Sequence, residues 1–294
     1  MNELTIPSFA KINLMLRVLD RKPDGYHQVD TILQTIELHD TLSYFFTRSE
    51  RFEISLDTGA SGLADDETNL IIKACQAFHK AHPIRAKISV KLKKNIPVGS
   101  GLGGGSSNAA ATLIAISRYC NWPLDRSELQ VVAREIGADV SFFLYGGTGR
   151  GTGRGDEISP LEDAKIHQVL VISPGFSCST AEIYRKFDEV GLLTENPNFI
   201  KILSDLKPES YRAIVSQIGN DLEKVVFALY PELDSIKKRL LETGAVAAAL
   251  TGSGSAVFGL FTRAEDLEKA AQQFPSCYKT QFLKRSDYER RLGF

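Results

Sequence analysis

The sequence predicts a layered α+β protein. Residues 4 to 57 read mostly as strands, and beyond them helical stripes alternate with short apolar runs. In the second half, strands linked by tight hairpins are mixed with helices, the pattern of helices packed on sheets. The length of 294 residues holds one large or two ordinary domains with a sizeable core. The pattern resets at about Ile166, which gives an N-terminal unit over 1–160 and a C-terminal unit over 161–294.

In the first strand Ile12, Leu14, Leu16 and Val18 alternate with Lys11, Asn13, Met15 and Arg17, so the two sets face opposite sides. Lys11 and Asn13 thus share a face, about 7 Å apart along the strand. Asp20-Arg21-Lys22-Pro23-Asp24-Gly25 is a turn, with Tyr26-His27 directly after it. Asp66-Glu67-Thr68-Asn69-Leu70 opens a helix through about His79, with Asn69 suited to cap it and Ile71, Ala74, Cys75 and Phe78 on one stripe. Lys87-Ile88-Ser89-Val90-Lys91-Leu92 is a half-buried strand. Lys94 follows it, at a solvated strand end.

Next comes Pro97-Val98-Gly99-Ser100-Gly101-Leu102-Gly103-Gly104-Gly105-Ser106-Ser107-Asn108, leading into the apolar helix that starts at Ala109. Cys120-Asn121-Trp122-Pro123-Leu124 is a turn, and Asp125 with Glu128 forms a capping box for a helix that Gly137 ends near Ile136. In Gly137-Ala138-Asp139-Val140-Ser141-Phe142-Phe143-Leu144 an acid stands among apolar neighbours, as a cap or as a partly desolvated carboxylate that a lysine would hold ionised. The glycine-rich stretch from Gly146 to Gly155 reads as a twisted hairpin carrying Arg150 and Arg154. Val169-Leu170-Val171-Ile172 is a buried strand, Pro174-Gly175 a turn, and Thr180-Ala181-Glu182-Ile183-Tyr184 a helix start. Another helix begins at Asn220-Asp221-Leu222-Glu223, and Gly244 closes the one before Val246–Leu250. Thr251-Gly252-Ser253-Gly254-Ser255 joins that strand to Ala256–Phe261. One helix and a last strand, Tyr278 to Leu283, finish the chain.

Composition narrows the chemistry. Hydrophobic content of 43% and charged content of 24% are those of a soluble globular protein. A formal net charge of −1 speaks against a general nucleic-acid binder or a basic membrane-surface protein, so an anionic ligand needs local donors. Cys75, Cys120, Cys178 and Cys277 lack paired spacing and read as free thiols of a reducing cytoplasm. No signal pattern opens the chain and no apolar run reaches about eighteen residues, so a cytoplasmic protein is expected. The histidines show no metal-site pattern.

The glycine stretch supplies those donors. Glycine admits positive φ and close approach of a ligand, Ser106 or Ser107 is placed to cap the helix, and the first-turn N–H groups with the helix dipole favour an anion. A phosphate cradle explains five glycines in this setting better than a plain turn does. Gly99-x-Gly101-x-x-Gly104 also meets the dinucleotide spacing, with Asp125 about twenty residues on. No second strand carries that acid, however. No Gly-Lys-Ser/Thr closes a P-loop, and no His-Arg-Asp catalytic loop accompanies the glycines.

Pro97 to Asn108 instead resembles the central motif of the GHMP small-molecule kinases, and the resemblance covers the whole chain. It implies an N-terminal ribosomal-S5-domain-2-like unit and a ferredoxin-like C-terminal unit. It also implies ATP as donor with Mg²⁺, for which no protein ligand follows from the sequence. Asn69, near the adenine, and Lys94 would bind ATP with residues 97 to 108. Phe9-Ala10-Lys11-Ile12-Asn13-Leu14 is similar to the first motif, which implies a catalytic Lys11 and a substrate-touching Asn13. Gly137-Ala138-Asp139-Val140 resembles the segment that carries the catalytic base, so Asp139 would accept the proton of the substrate hydroxyl. Gly252-Ser253-Gly254 resembles the third motif, which closes over phosphates, although a tight hairpin explains it nearly as well. Asp24-Gly25-Tyr26-His27 looks like the cytidine-binding segment of the branch acting on 4-diphosphocytidyl-2-C-methyl-D-erythritol. There Tyr26 and Tyr184 would stack on cytosine and His27 would read its edge. Arg150 and Arg154 would approach the diphosphate or sit on a solvated hairpin. Other expectations that stay open are another GHMP kinase, acting on a mevalonate derivative, homoserine or a sugar, and a nucleotide-binding regulator without catalysis.

Overall fold

The computed structural model describes residues 2–23, 25–121, 126–164, 168–191 and 217–293. The capping box at Asp125 and the reset at Ile166 lie outside the described residues. Two antiparallel-rich sheets pack against each other, with helices on their outer faces. The class is the α+β layering that the sequence predicts.

The first sheet is built on two long strands, β1 (Asn2–Arg21) and β2 (His27–Arg48), paired antiparallel. The expected turn joins them, with Gly25 at φ +86°. Strands this long bend, and register shifts at Phe9/Ala10 and Asn13/Met15 supply the bends. The second edge of β2 is divided. Thr41–Arg48 pairs with β4 (Ala86–Lys93), which carries the parallel edge strand β3 (Glu53–Asp57). Thr31–Gln34 pairs with β5 (Thr148–Thr152), which forms the expected glycine-rich hairpin with β6 (Glu157–Pro160). Between those partners the second sheet reaches in: Ile36 bridges Phe282, and Leu38 N–H donates to Thr280 Oγ1 at 3.0 Å.

Helices α1 (Leu70–Ala81), α2 (Gly104–Tyr119), α3 (Arg126–Ile136) and α4 (Ala138–Phe142) cover one face of this sheet. The predicted stripe of α1 is buried as expected. The helix starts at Leu70 with Asn69 as its cap, as expected, and ahead of it Asp66 Oδ1 accepts the N–H and hydroxyl of Thr68 in a local turn. From Ser107 to Ser117 every residue of α2 is buried. In β4 the even-numbered residues are buried and Lys87, Lys91 and Lys93 exposed, as alternation requires.

The second sheet has the order β11-β7-β10-β9, from β7 (Gln168–Ile172), β9 (Ala247–Leu250), β10 (Val257–Phe261) and β11 (Cys277–Gln281), all antiparallel. Its outer face packs on α5 (Thr180–Val190), α6 (Glu223–Leu229), α7 (Pro231–Glu242) and α8 (Ala264–Ala271). Its inner face puts Val169, Val171, Ala249, Phe258 and Leu260 against Ile12, Leu14, Ile32 and Ile36 of the first sheet. The second sheet thus buries the Ile12 and Leu14 face of β1, while Gly103, Phe143, Thr251 and Gly252 close over Lys11 and Asn13 on the other, and both are buried.

The chain crosses back to the first sheet twice. The short strand β8 (Gly219–Asn220) pairs parallel with Met15 and Leu16 of β1. After the last strand, where the sequence reading ends the chain, a further helix α9 (Arg285–Leu292) inserts Tyr288 into the N-terminal core. Its hydroxyl donates to the Phe143 carbonyl behind α4, and the strap braces the helix that carries Asp139.

Candidate active site

Residues 97 to 103 link β4 to α2 and take three positive φ angles, +65° at Gly99, +79° at Gly101 and +70° at Gly103. Gly101 has no room for a side chain: a Cβ there would lie 2.1 Å from the Thr251 carbonyl oxygen. The loop is stitched to both sheets. Lys11 N–H donates to Leu102 O and Ala256 N–H to Ser100 O, each at 3.0 Å. Gly103 is the N-cap of α2, and no side chain caps it. This corrects the expectation that Ser106 or Ser107 caps the helix. Both lie inside the first turn, and the buried Ser107 hydroxyl accepts from Ser8 at 2.8 Å. The first intrahelical bond is Ser107 N–H to Gly103 O, so the N–H groups of Gly104, Gly105 and Ser106 come before the ladder and face the cleft. An uncapped helix N-terminus of this kind is a ready anion site.

Across the loop stand Lys11 and Asp139. Lys11 Nζ lies 2.7 Å from Asn13 Oδ1 and 3.4 Å from Asp139 Oδ2. The Lys11 side chain is 4% exposed, whereas that of Asp139 keeps 37% and stays open to a ligand. Asn13 is the hub beneath them. Its Oδ1 also accepts from Gly252 N–H at 2.9 Å, and its Nδ2 donates to Thr31 Oγ1 at 2.8 Å. Asn13 N–H donates to Thr251 Oγ1 at 3.1 Å, whose hydroxyl is shared between Asn13 Oδ1 and the Gly101 carbonyl. Thr251 thus ties the Gly252-Ser253-Gly254 loop of the second sheet to the glycine loop. Ser253 Oγ in turn meets Thr180 Oγ1 at 2.7 Å.

These groups line one cleft of about 680 Å³, within the ordinary range of ligand sites. Lys11, Asn13, Asn69, Lys94, residues 97–106, Asn108, Asp139 and Tyr184 all face it, as do Arg154 and Gly252–Gly254. Ser107 lies beneath it. Asn69 spends its side-chain oxygen on Ile71 N–H and its amide on Ala64 O. Lys94 Nζ is held by Asp40 Oδ2 at 2.5 Å. Arg150 is bound bidentately by Asp30, at 2.8 and 3.0 Å, and is not part of the lining.

Tyr26 and His27 stand beyond the cleft's edge. Tyr26 is 58% exposed, with the Arg154 guanidinium 4.1 Å over its ring. His27 is buried, its Nε2 2.5 Å from Asp188 Oδ1, and Tyr184 stacks on it with ring centroids 5.1 Å apart. Burial, followed by the negative charges of Asp139 and Asp221, pushes the Tyr184 phenol up to about 12, so it stays a neutral donor. Cys178 also lines the cleft, and burial, then Glu232 and Glu182, pushes its thiol up to about 11. Alkylation by iodoacetamide at pH 8 should therefore be about a hundredfold slower at Cys178 than at a free thiol of ordinary pKa. Mass-spectrometric rates that match free cysteine would contradict this.

Thr251, Asp188, Asp40 and Thr180 escape the sequence reading. Each acts through a partner distant in the chain, and only the glycines beside Thr251 flag that position.

Comparison with known proteins bears on the site directly. A model of the GHMP kinase N-terminal domain matches residues 69–147, which hold Asn69, Lys94, the glycine loop and Asp139. The model of the GHMP kinase C-terminal region matches residues 200–280, which hold Gly252–Gly254. A 4-diphosphocytidyl-2-C-methyl-D-erythritol kinase of Thermodesulfovibrio yellowstonii is 41% identical over 92% of this chain and 94% of its own length. The chain belongs to the 4-diphosphocytidyl-2-C-methyl-D-erythritol kinase family of GHMP kinases. A crystal structure of a kinase of that name superposes with a TM-score of 0.78 at 30% identity, covering 95% of this chain and 99% of the other. Homoserine kinase from Cytophaga hutchinsonii superposes at 0.73, covering 97% of this chain and 95% of its own, but at 18% identity that likeness shows the fold alone. As a GHMP kinase the chain uses ATP as phosphate donor.

Proposed function

We infer that this kinase transfers the γ-phosphoryl group of ATP to the 2-hydroxyl of 4-diphosphocytidyl-2-C-methyl-D-erythritol, a step of the methylerythritol phosphate route to isoprenoids. The observation that carries the reading is the Lys11–Asp139 pair at 3.4 Å, facing an uncapped helix N-terminus across one cleft. Near-full-length similarity to kinases named for that alcohol supports the choice of substrate.

The first-turn N–H groups of α2 and the dipole behind them hold the triphosphate with its γ-phosphorus toward Asp139. The substrate hydroxyl donates to the open carboxylate. As the new oxygen–phosphorus bond forms, the bridging bond to ADP breaks and Asp139 takes the proton. Lys11, fixed by Asn13, orients the carboxylate and offsets the negative charge that gathers on the transferring group. Among the described residues no group of three His, Cys, Asp or Glu forms a metal cage, and Asp139 is the carboxylate in the lining. That donor set fits Mg²⁺ carried mainly on nucleotide phosphates and water, with Asp139 and the Ser106 hydroxyl as the protein oxygens at hand. Bound there, Mg²⁺ would neutralise phosphate charge. The four thiols are free and no described helix is long and apolar enough to cross a membrane, which supports placing the enzyme in the cytoplasm.

Tyr184 in the cleft lining and Tyr26 just beyond it, beside Arg154, are the flat faces for the cytosine ring. Tyr26→Ala should raise KM for the cytidine substrate by about 5- to 150-fold, the equivalent of about 1–3 kcal/mol of lost stacking, with ATP affinity near normal. Steady-state kinetics with each substrate varied in turn checks it. A rise in the ATP KM alone would reverse the two subsites.

A further inference from the structure

Asp40 is a carboxylate with no exposed surface, placed in β2 below the cleft. Its Oδ1 accepts the backbone N–H of Asn95 and of Ile96, both at 2.8 Å, and its Oδ2 accepts Lys94 Nζ at 2.5 Å. The hydrogen-bond pattern orients the Asn108 amide with its nitrogen toward Asp40. So oriented, it donates to Asp40 Oδ2 at 3.1 Å, to Ser8 Oγ at 2.7 Å and to Gly104 O at 3.2 Å. One carboxylate therefore joins three pieces of the nucleotide corner: the strand, the segment entering the glycine loop and the first turn of α2.

A buried ion pair is poor value as a stabiliser, since two well-packed apolar side chains usually serve as well. This pair does something apolar packing would not. It aims an ammonium at the start of α2, where a Cβ on Gly104 would lie 3.0 Å from Lys94 Nζ. Lys94 is 10% exposed at its side chain, and that exposure opens on the cleft. One of its three N–H bonds goes to Asp40, which leaves two for a ligand.

We propose that Asp40 is a positioning residue of the nucleotide subsite, acting through Lys94. It rests on the reading of the cleft as an ATP site. Asp40→Asn keeps Oδ1 for Asn95 and Ile96 but turns a donor toward Lys94 and Asn108, so the ammonium loses its seat. The test is a double-mutant cycle on ATP affinity by calorimetry, with wild type, Asp40→Asn, Lys94→Met and the double variant, alongside KM for the cytidine substrate and Tm. Asp40→Asn is expected to weaken ATP about tenfold in the wild-type background and less than about twofold in the Lys94→Met background, with the cytidine-substrate KM unmoved. Equal losses in both backgrounds, equal rises in both KM values, or a lower Tm with unaltered ATP affinity would overturn it, since each describes a merely structural acid. Where Asp40→Asn does not fold, Asp40→Glu, which keeps the carboxylate but displaces it from Lys94, takes its place in the cycle. About tenfold weaker ATP in the wild-type background only, with an unmoved cytidine-substrate KM, upholds the proposal, and unaltered ATP affinity overturns it. If Gly103→Val abolishes ATP binding while Lys94→Met leaves it intact, the proposal fails and the kinase reading stands. If the wild-type protein does not bind ATP, the kinase reading itself fails.

Discussion

Asp139→Asn lowers kcat by about 10²–10⁴, the usual contribution of a positioned general base, while both substrates still bind. The substitution keeps the size of the side chain and leaves the glycine loop untouched. Lys11→Ala removes the ammonium that links Asn13 to Asp139, and it also strips Asn13 Oδ1 of one of its donors. The double variant should be little worse than the poorer single one, because residues that act as a unit are not additive. The ratio of the two single effects reports the transition state. In a loose phosphoryl transfer the proton leaves late, and Lys11→Ala becomes the more damaging change. Single-turnover rates of the three variants measure this, and near-normal kcat in both single variants would remove the pair from catalysis.

Gly103→Val abolishes ATP binding, with affinity lowered by more than about a hundredfold. At φ +70° any side chain is strained by about 1–2 kcal/mol, and a β-branched one by more. Its Cβ would also stand 3.0 Å from Lys11 Cγ and from two ring carbons of Phe143, so it displaces Lys11 as well as the loop. Gly104→Val acts differently, because Gly104 has no positive φ and its Cβ would meet Lys94 Nζ and Ile96 instead. Calorimetry with ATP, beside near-ultraviolet circular dichroism to confirm folding, checks both. A folded Gly103→Val variant with unaltered ATP affinity would take the loop out of the nucleotide site.

Much of this site is legible in the sequence because its signals are local. Alternation puts Lys11 and Asn13 on one face, and the glycines ahead of an apolar helix announce an anion site. The rest depends on partners that local pattern does not reach. Nothing near Ile12 or Leu14 shows that a second sheet will bury them against Val169 and Phe258. Nor does the local pattern show that Thr251, Gly252 and the glycine loop will enclose the polar face of β1, which alternation alone would leave solvated. The serine caps fail because Ser8, about a hundred positions earlier, claims the Ser107 hydroxyl, and the helix begins at Gly104. Likewise His27 looks free in sequence, yet Asp188 meets its Nε2 across 161 positions. Helix α9 has mostly charged residues, and only Tyr288, against Gly146, and Leu292 one turn on are buried. Two apolar positions in a polar run are too few for a periodic signal.

The most direct measurement is phosphate transfer from ATP to a panel of alcohols, followed by ³¹P NMR of the products. The panel holds 4-diphosphocytidyl-2-C-methyl-D-erythritol, methylerythritol 4-phosphate without its cytidine group, mevalonate, homoserine and a hexose. The geometry predicts a new phosphomonoester on the 2-hydroxyl of the first, formed with equimolar ADP, and at least about a hundredfold slower transfer to the alcohols that lack cytosine, given the stacking energy they forgo. Equal turnover of the first two, preference for mevalonate, homoserine or the sugar, or tight ATP binding with no transfer to any alcohol would contradict it.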